Sequence, residues 1–217
     1  MWQDVGERRY HQFCGVAKAL DLVGERWTLL LVRDLLLGGR RFSDLQEAMP
    51  GLTPNLLSQR LRQMTERGLI EKQQLDPPRG TTVYVLTELG HELEPVVLAL
   101  GRFGSNFMTA PGPDDRVDPR WAMVSLKRRY QGCPRRWRVQ LEVGPLAFSL
   151  KLGDERLHVV DGRAHEADLV VGGQRPGWGM LLSGRGSAQE LLASGQLHHR
   201  GPARAMTDFV RAFALKP

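Results

Sequence analysis

Residues 40–67 read RRFSDLQEAMPGLTPNLLSQRLRQMTER, and their reading decides the fold. Ser43 is placed to N-cap a short helix over Asp44–Met49, with Glu47 near the third position, where a carboxylate can reach back to the cap. Pro50-Gly51 marks a tight turn. Thr53 then caps a second helix whose first position holds Pro54, where a missing N–H costs nothing. Along residues 54–66, Leu57, Leu61 and Met64 fall on one face at helical spacing. The opposite face carries Asn55, Ser58, Gln59, Arg62 and Glu66. Asn and Gln match the edge of adenine and Arg that of guanine, so this face suits a DNA major groove. Taken alone, such a face is far more often that of a solvated helix. The neighbouring elements decide between the two.

Upstream, Gly15–Val23 and Trp27–Leu37 read as helices. Leu29, Leu30, Val32, Leu36 and Leu37 give the second a broad apolar face, and Gly38-Gly39 stops it. Arg40 and Arg41 stand just ahead of the short helix. Downstream, GLIEKQQL, DPPRG and TTVYVLT read as a β-hairpin with Arg79 and Gly80 at its tip. An arginine there can reach phosphate or the minor groove, or is an exposed loop charge. A last helix carries Leu89, Leu93, Val96, Val97, Leu100 and Phe103, an apolar stripe longer than so small a unit can cover. This element order is that of a winged helix-turn-helix.

Several runs resemble the HxlR family of bacterial winged-helix regulators: C-x-V-x-x-A-L-D-L-V-G-x-R-W-T-L-L, R-R-F-S-D-L, G-L-T-P-N-L-L-S-Q-R-L-R, G-L-I and Y-x-L-T-E-L-G. The resemblance implies a homodimer assembled through the first and last helices of this unit. It also implies DNA contacts from the Thr53–Gln63 helix and from the wing. The expected contact set is Arg40, Arg41, Ser43, Thr53, Asn55, Ser58, Gln59, Arg62, Gln63, Arg79 and Thr81. Cys14 matches a position where some relatives use a reactive thiol. Gly15 follows it where proline is usual, and no resolving cysteine is near in sequence. A sensor thiol needs exposure and a lowered pKa. The alternative is a small half-buried side chain.

The net charge of +6 points to an anionic partner, but residues 1–107 hold 13 Lys/Arg against 13 Asp/Glu, and residues 108–217 hold 17 against 11. Local placement, not bulk charge, must bring the first half to phosphates. Two cysteines are too few for a disulfide framework. There is no signal-peptide pattern and no apolar run long enough to span a bilayer, so a cytoplasmic location is expected by elimination.

TAPGPDDRVDPR, residues 109–120, has linker composition. The expected division is a DNA-binding and dimerisation domain over 1–109, a linker over 110–118 and a second domain over 119–217. In that second part an amphipathic helix over 118–131 is followed by strands WRVQLEV, LAFSLKL, ERLHVVDG and ADLVVGG. Two short helices, one more strand and a closing helix follow. The expected class is α+β, with an antiparallel sheet backed by helices. A-D-L-V-V-x-G, L-L-S-G, L-A-S-G, Q-L-x-x-x-G and a final F-x-x-x-F resemble the sterol-carrier-protein fold. That resemblance implies a cavity for a greasy ligand, with Trp121, Trp137, Phe148, Leu150, Trp178, Met180, Leu181, Phe209 and Phe213 as candidate lining. The alternative is that these residues fill a core. The cluster Lys127, Arg128, Arg129, Arg135, Arg136 and Arg138 holds an anionic head group, adds phosphate contacts, or forms a solvated rim; the rim is favoured.

No catalytic motif is found, no cofactor is implied, and adjacent His198 and His199 make a poor metal chelate. The expected function is a dimeric, sequence-specific DNA-binding regulator, a repressor, whose second domain senses an apolar small molecule. Two alternatives stand beside it: a thiol switch at Cys14, and a lipid carrier that uses the winged helix only to dimerise.

Overall fold

A computed structural model describes residues 9–75, 80–109, 112–153 and 157–215. The chain divides into two compact units between Val97 and Leu98, a point that falls inside a helix.

The first unit begins with α1 (Gly15–Val23) and α2 (Thr28–Leu35). Trp27, just before α2, takes a left-handed φ of 80°, and the Arg26 guanidinium lies 4.9 Å from the centre of its ring. Leu31, Val32, Leu35, Leu36 and Leu37 are buried. Leu29 and Leu30 are not, so the buried stripe is shifted toward Leu31 and Leu35 from the one the sequence pattern suggested. α3 (Phe42–Ala48) starts earlier than expected. The reason is Asp44, whose carboxylate accepts from the Arg41 backbone N–H at 3.2 Å, which makes Arg41 the capping position and puts Ser43 inside the helix. α4 (Pro54–Glu66) follows the expectation: the Thr53 hydroxyl accepts from the Leu56 N–H at 3.3 Å, and Leu57, Leu61 and Met64 are buried.

β1 (Ile70–Gln74) and β2 (Thr82–Leu86) pair antiparallel, Ile70 opposite Leu86 and Gln74 opposite Thr82. Arg40 bridges Tyr84 through two backbone hydrogen bonds of 2.9 and 2.8 Å, adding a third short edge to the hairpin. A Cβ on Gly39 would come within 2.9 Å of Val83, so this close approach needs glycine. The last helix is broken at Glu92–Leu93 into α5 (Glu88–His91) and α6 (Glu94–Gly104). A Cβ on Gly90 of α5 would meet the Leu69 carbonyl oxygen at 2.0 Å, so α5 rests directly on the chain entering β1.

In the second unit α7 (Pro119–Arg129) precedes five strands: β3 (Trp137–Val143), β4 (Leu146–Leu152), β5 (His158–Asp161), β6 (Leu169–Gly173) and β7 (Leu197–Arg200). α8 (Arg175–Ser183) and α9 (Ala188–Ala193) lie between β6 and β7 in sequence, and α10 (Ala203–Ala212) closes the unit. The sheet order is β5-β4-β3-β6-β7. The expected antiparallel sheet is a mixed one, because β6 runs parallel to β3. After the β3-β4-β5 meander the chain returns across the sheet to the free edge of β3. Buried Gln140 pins that return: its Oε1 accepts from the Ala164 N–H at 2.6 Å, and its Nε2 donates to the Leu141 and Phe148 carbonyls. The class is α+β.

Candidate nucleic-acid interface

α4 separates its two faces cleanly. Thr53, Asn55, Ser58, Gln59 and Arg62 are exposed, while the opposite face packs on the core. Arg62 is 70% exposed and lies 3.8 Å from the Glu66 carboxylate, a weak surface pair that leaves it free to swing outward. Arg41 and Ser43 are exposed at the start of α3.

Three expected contacts stand differently. Arg40 is only 9% exposed, because the backbone bridge to Tyr84 draws it under the hairpin. Gln63 is half-buried, and its amide oxygen accepts from Arg60 Nη1 at 2.8 Å. Thr81 is half-buried at the base of β2, its carbonyl accepting from the Leu75 N–H. Arg79 lies outside the described residues. Below the hairpin tip, Gln74 donates to the Gly80 carbonyl at 2.8 Å and accepts from the Thr82 hydroxyl at 2.9 Å.

Sequence reasoning missed Arg60. It is 6% exposed, and its guanidinium bridges Gln63 and Glu25, the latter at 3.1 Å in the α1–α2 connection. Arg67, also buried, donates to the Leu22 carbonyl at the end of α1. The i,i+3 spacing of Arg60 and Gln63 was the one local signal.

Cys14 is exposed and occupies the capping position of α1 without a formed side-chain cap bond. The nearby backbone N–H groups of Ala17 and then Val16, although neither forms a full cap bond, hold its thiol below the ordinary value. Lys18, one helical turn further on, is paired with Asp21 at 3.8 Å.

In the second unit, Phe148, Leu150, Trp178, Leu181, Phe209 and Phe213 are core residues, exposed by 2% or less. Phe209 and Phe213 meet edge to face at 5.1 Å, and the Trp178 indole donates to the Glu142 carbonyl at 2.9 Å. Trp121 and Trp137 are half-buried. An open recess of about 560 Å³ is lined by Glu142, Gln174, Pro176, Met180, Gln196 and His198 among others. Met180, 37% exposed, is the only one of the nine candidates on its rim. The packed alternative therefore describes six of the nine.

The basic cluster is largely engaged. Arg138 pairs with Glu166 and Asp168, Arg135 with Asp208, and Arg128 and Arg129 donate to the Gly101 and Leu182 carbonyls. Among the described residues no group of three His, Cys, Asp or Glu could hold a metal ion. No described helix is long and apolar enough to cross a membrane.

A capped helix, a turn, a second helix polar on its outer face and a two-stranded wing define the winged helix-turn-helix class of DNA-binding modules. The model of the HxlR-like helix-turn-helix family matches residues 22–111. The HTH-type transcriptional regulator sll1512 of Synechocystis sp. is 35% identical over 97 residues, 44% of this chain and 70% of the relative. The regulator MT3179 of Mycobacterium tuberculosis is 41% identical over 108 residues, 48% of this chain and 66% of the relative. Among solved structures, the reduced form of the transcriptional regulator YodB from B. subtilis aligns at 26% identity and a TM-score of 0.39, over 46% of this chain and 100% of that one. The chain belongs to the HxlR-like helix-turn-helix family, and both of these relatives are HTH-type transcriptional regulators.

Proposed function

We propose that the chain is a homodimeric, sequence-specific regulator that places α4 in the DNA major groove and acts as a repressor. The observation that carries this reading is the exposed row Thr53, Asn55, Ser58, Gln59 and Arg62 on a helix whose other face is buried. Arg41 and Ser43 stand where a helix start can receive phosphate. Dimerisation is supported by apolar side chains left in water: Val16 and Leu20 on α1, and Val96, Leu100 and Phe103 on α6. A two-fold dimer reads two half-sites about one helical turn, or a multiple, apart. Repression is the reading that needs only occupancy of the site.

The modules are taken as 1–109 and 119–217, joined by 110–118. The second is assigned to sensing a small molecule on its sterol-carrier-like pattern. The open recess beside Met180 is the place assigned to that molecule. Ligand and DNA would then favour different populations of one equilibrium, and their coupling must be reciprocal. The test is selection of genomic fragments by the full chain and by Arg62→Ala. A few fragments sharing a two-fold symmetric site, lost in the variant, are expected. No enrichment over bulk DNA refutes the regulator and favours a carrier.

A second reading, a thiol switch, is favoured by one observation: Cys14 is exposed and its thiol is lowered by the first turn of α1. If it is right, oxidation changes operator affinity in wild type but not in Cys14→Ser.

A further inference from the structure

Resting on the reading of α4 as the DNA-contacting helix, we propose that buried Arg60 fixes the hydrogen-bonding polarity of Gln63 and makes it a reader of guanine rather than adenine. Arg60 lies on the inner side of α4 between Leu57 and Leu61 and is 6% exposed. Its Nη1 donates to Gln63 Oε1 at 2.8 Å and its Nη2 to Glu25 Oε2 at 3.1 Å. A guanidinium has donors only. The oxygen of the Gln63 amide is therefore the atom that must face it, and the NH2 must face away. A free glutamine pairs with adenine by accepting from N6 and donating to N7. With its oxygen turned toward Arg60, Gln63 offers the adenine N6 amino group no outward-facing acceptor. Guanine presents two acceptors, N7 and O6, to the outward NH2.

Gln63 stands one turn beyond exposed Gln59 and is itself half-buried, with its amide oxygen bonded to Arg60. Stability alone does not account for a guanidinium here. The Arg60 Nε is buried with no partner among the described residues, a defect that methionine of similar length would lack. Glu25 is 51% exposed, so its charge is left in water rather than stranded when Arg60 is replaced. Arg60 acts through Gln63 and is a positioning residue.

The test selects the full-chain protein against a pool of duplex DNA with randomised positions, sequenced before and after, for wild type, Arg60→Met and Gln63→Glu. Wild type is expected to show a guanine column that depends on Gln63. Arg60→Met is expected to melt at or above the wild-type temperature while admitting adenine at that column, lowering its guanine preference by about tenfold and leaving the other columns alone. Gln63→Glu keeps the bond to Arg60 but presents an acceptor, so the column moves to cytosine, whose N4 donates. That variant decides the matter if Arg60→Met does not fold. A wild-type column favouring adenine, or a guanine column that persists in either folded variant, overturns the proposal while leaving the DNA-binding reading intact. A wild type that enriches no sequence overturns both.

Discussion

Asp208 offers the most direct check on the packing of the second unit. Its carboxylate, 6% exposed on α10, accepts from Arg135 Nη1 at 2.6 Å and from the Trp137 indole at 2.9 Å. Burial pushes its pKa up, but the Trp137 N–H and the Arg135 guanidinium outweigh that and hold it below the usual carboxylate value. Asp208→Asn keeps the size and removes the charge. A hydrogen bond to a charged group is worth roughly 1 kcal/mol more than a neutral one, and an amide turned toward two donors loses part of one bond as well. Arg135 is 37% exposed, so water takes up some of its share. The net loss is about 2 kcal/mol near neutral pH, or on the order of 8 °C in Tm for a unit of this size. The folded pKa is lowered, so the wild-type advantage is complete above the unfolded carboxylate pKa of about 3.9 and fades as pH falls through the folded value. Urea titrations at pH 7, 5 and 3.5, followed by tryptophan fluorescence and circular dichroism, read the gap. A gap that stays constant across these pH values, or no gap at pH 7, would refute the assignment of the carboxylate as the charged anchor of α10.

Arg62→Ala should cost under about 1 kcal/mol of stability, because its partner Glu66 is itself exposed, yet weaken operator binding by about tenfold or more in fluorescence anisotropy. Gly90→Ala should cost about 3 kcal/mol in denaturant, since its Cβ would stand 2.0 Å from the Leu69 carbonyl oxygen; an unchanged midpoint would mean that α5 yields freely. Thr53→Ala should cost about 1 kcal/mol through loss of the α4 cap, seen as a lower Tm. Cys14 should alkylate faster than Cys133 at pH 7 in a timed mass-spectrometric assay, because it is the exposed thiol and its pKa is lowered.

Local chemistry was readable in the sequence wherever one element carried its own signal. Thr53-Pro54 announced the start of α4, the Leu57/Leu61/Met64 spacing gave its inner face, and the alternation in LAFSLKL gave β4. What failed was set by partners distant in the chain. Arg40 read as an outward charge and Arg60 was passed over, since nothing nearby reveals that one joins Tyr84 and the other Glu25. The direction of β6 was hidden because ADLVVGG looks alike beside a parallel or an antiparallel neighbour; only the return across the sheet, tied to Gln140, settles it. The aromatic residues of the second unit were identifiable as apolar, but apolarity does not distinguish a packed ring from a cavity wall.

The clasp of Gln74 with Gly80 and Thr82 closes the hairpin beneath its tip. Register and twist are thereby settled below the loop, so loop length and composition are free to vary without disturbing the ladder or the seat of α4. A tip borrowed from another wing, spliced in above the clasp, would keep the pairing of Ile70 with Leu86 and of Gln74 with Thr82.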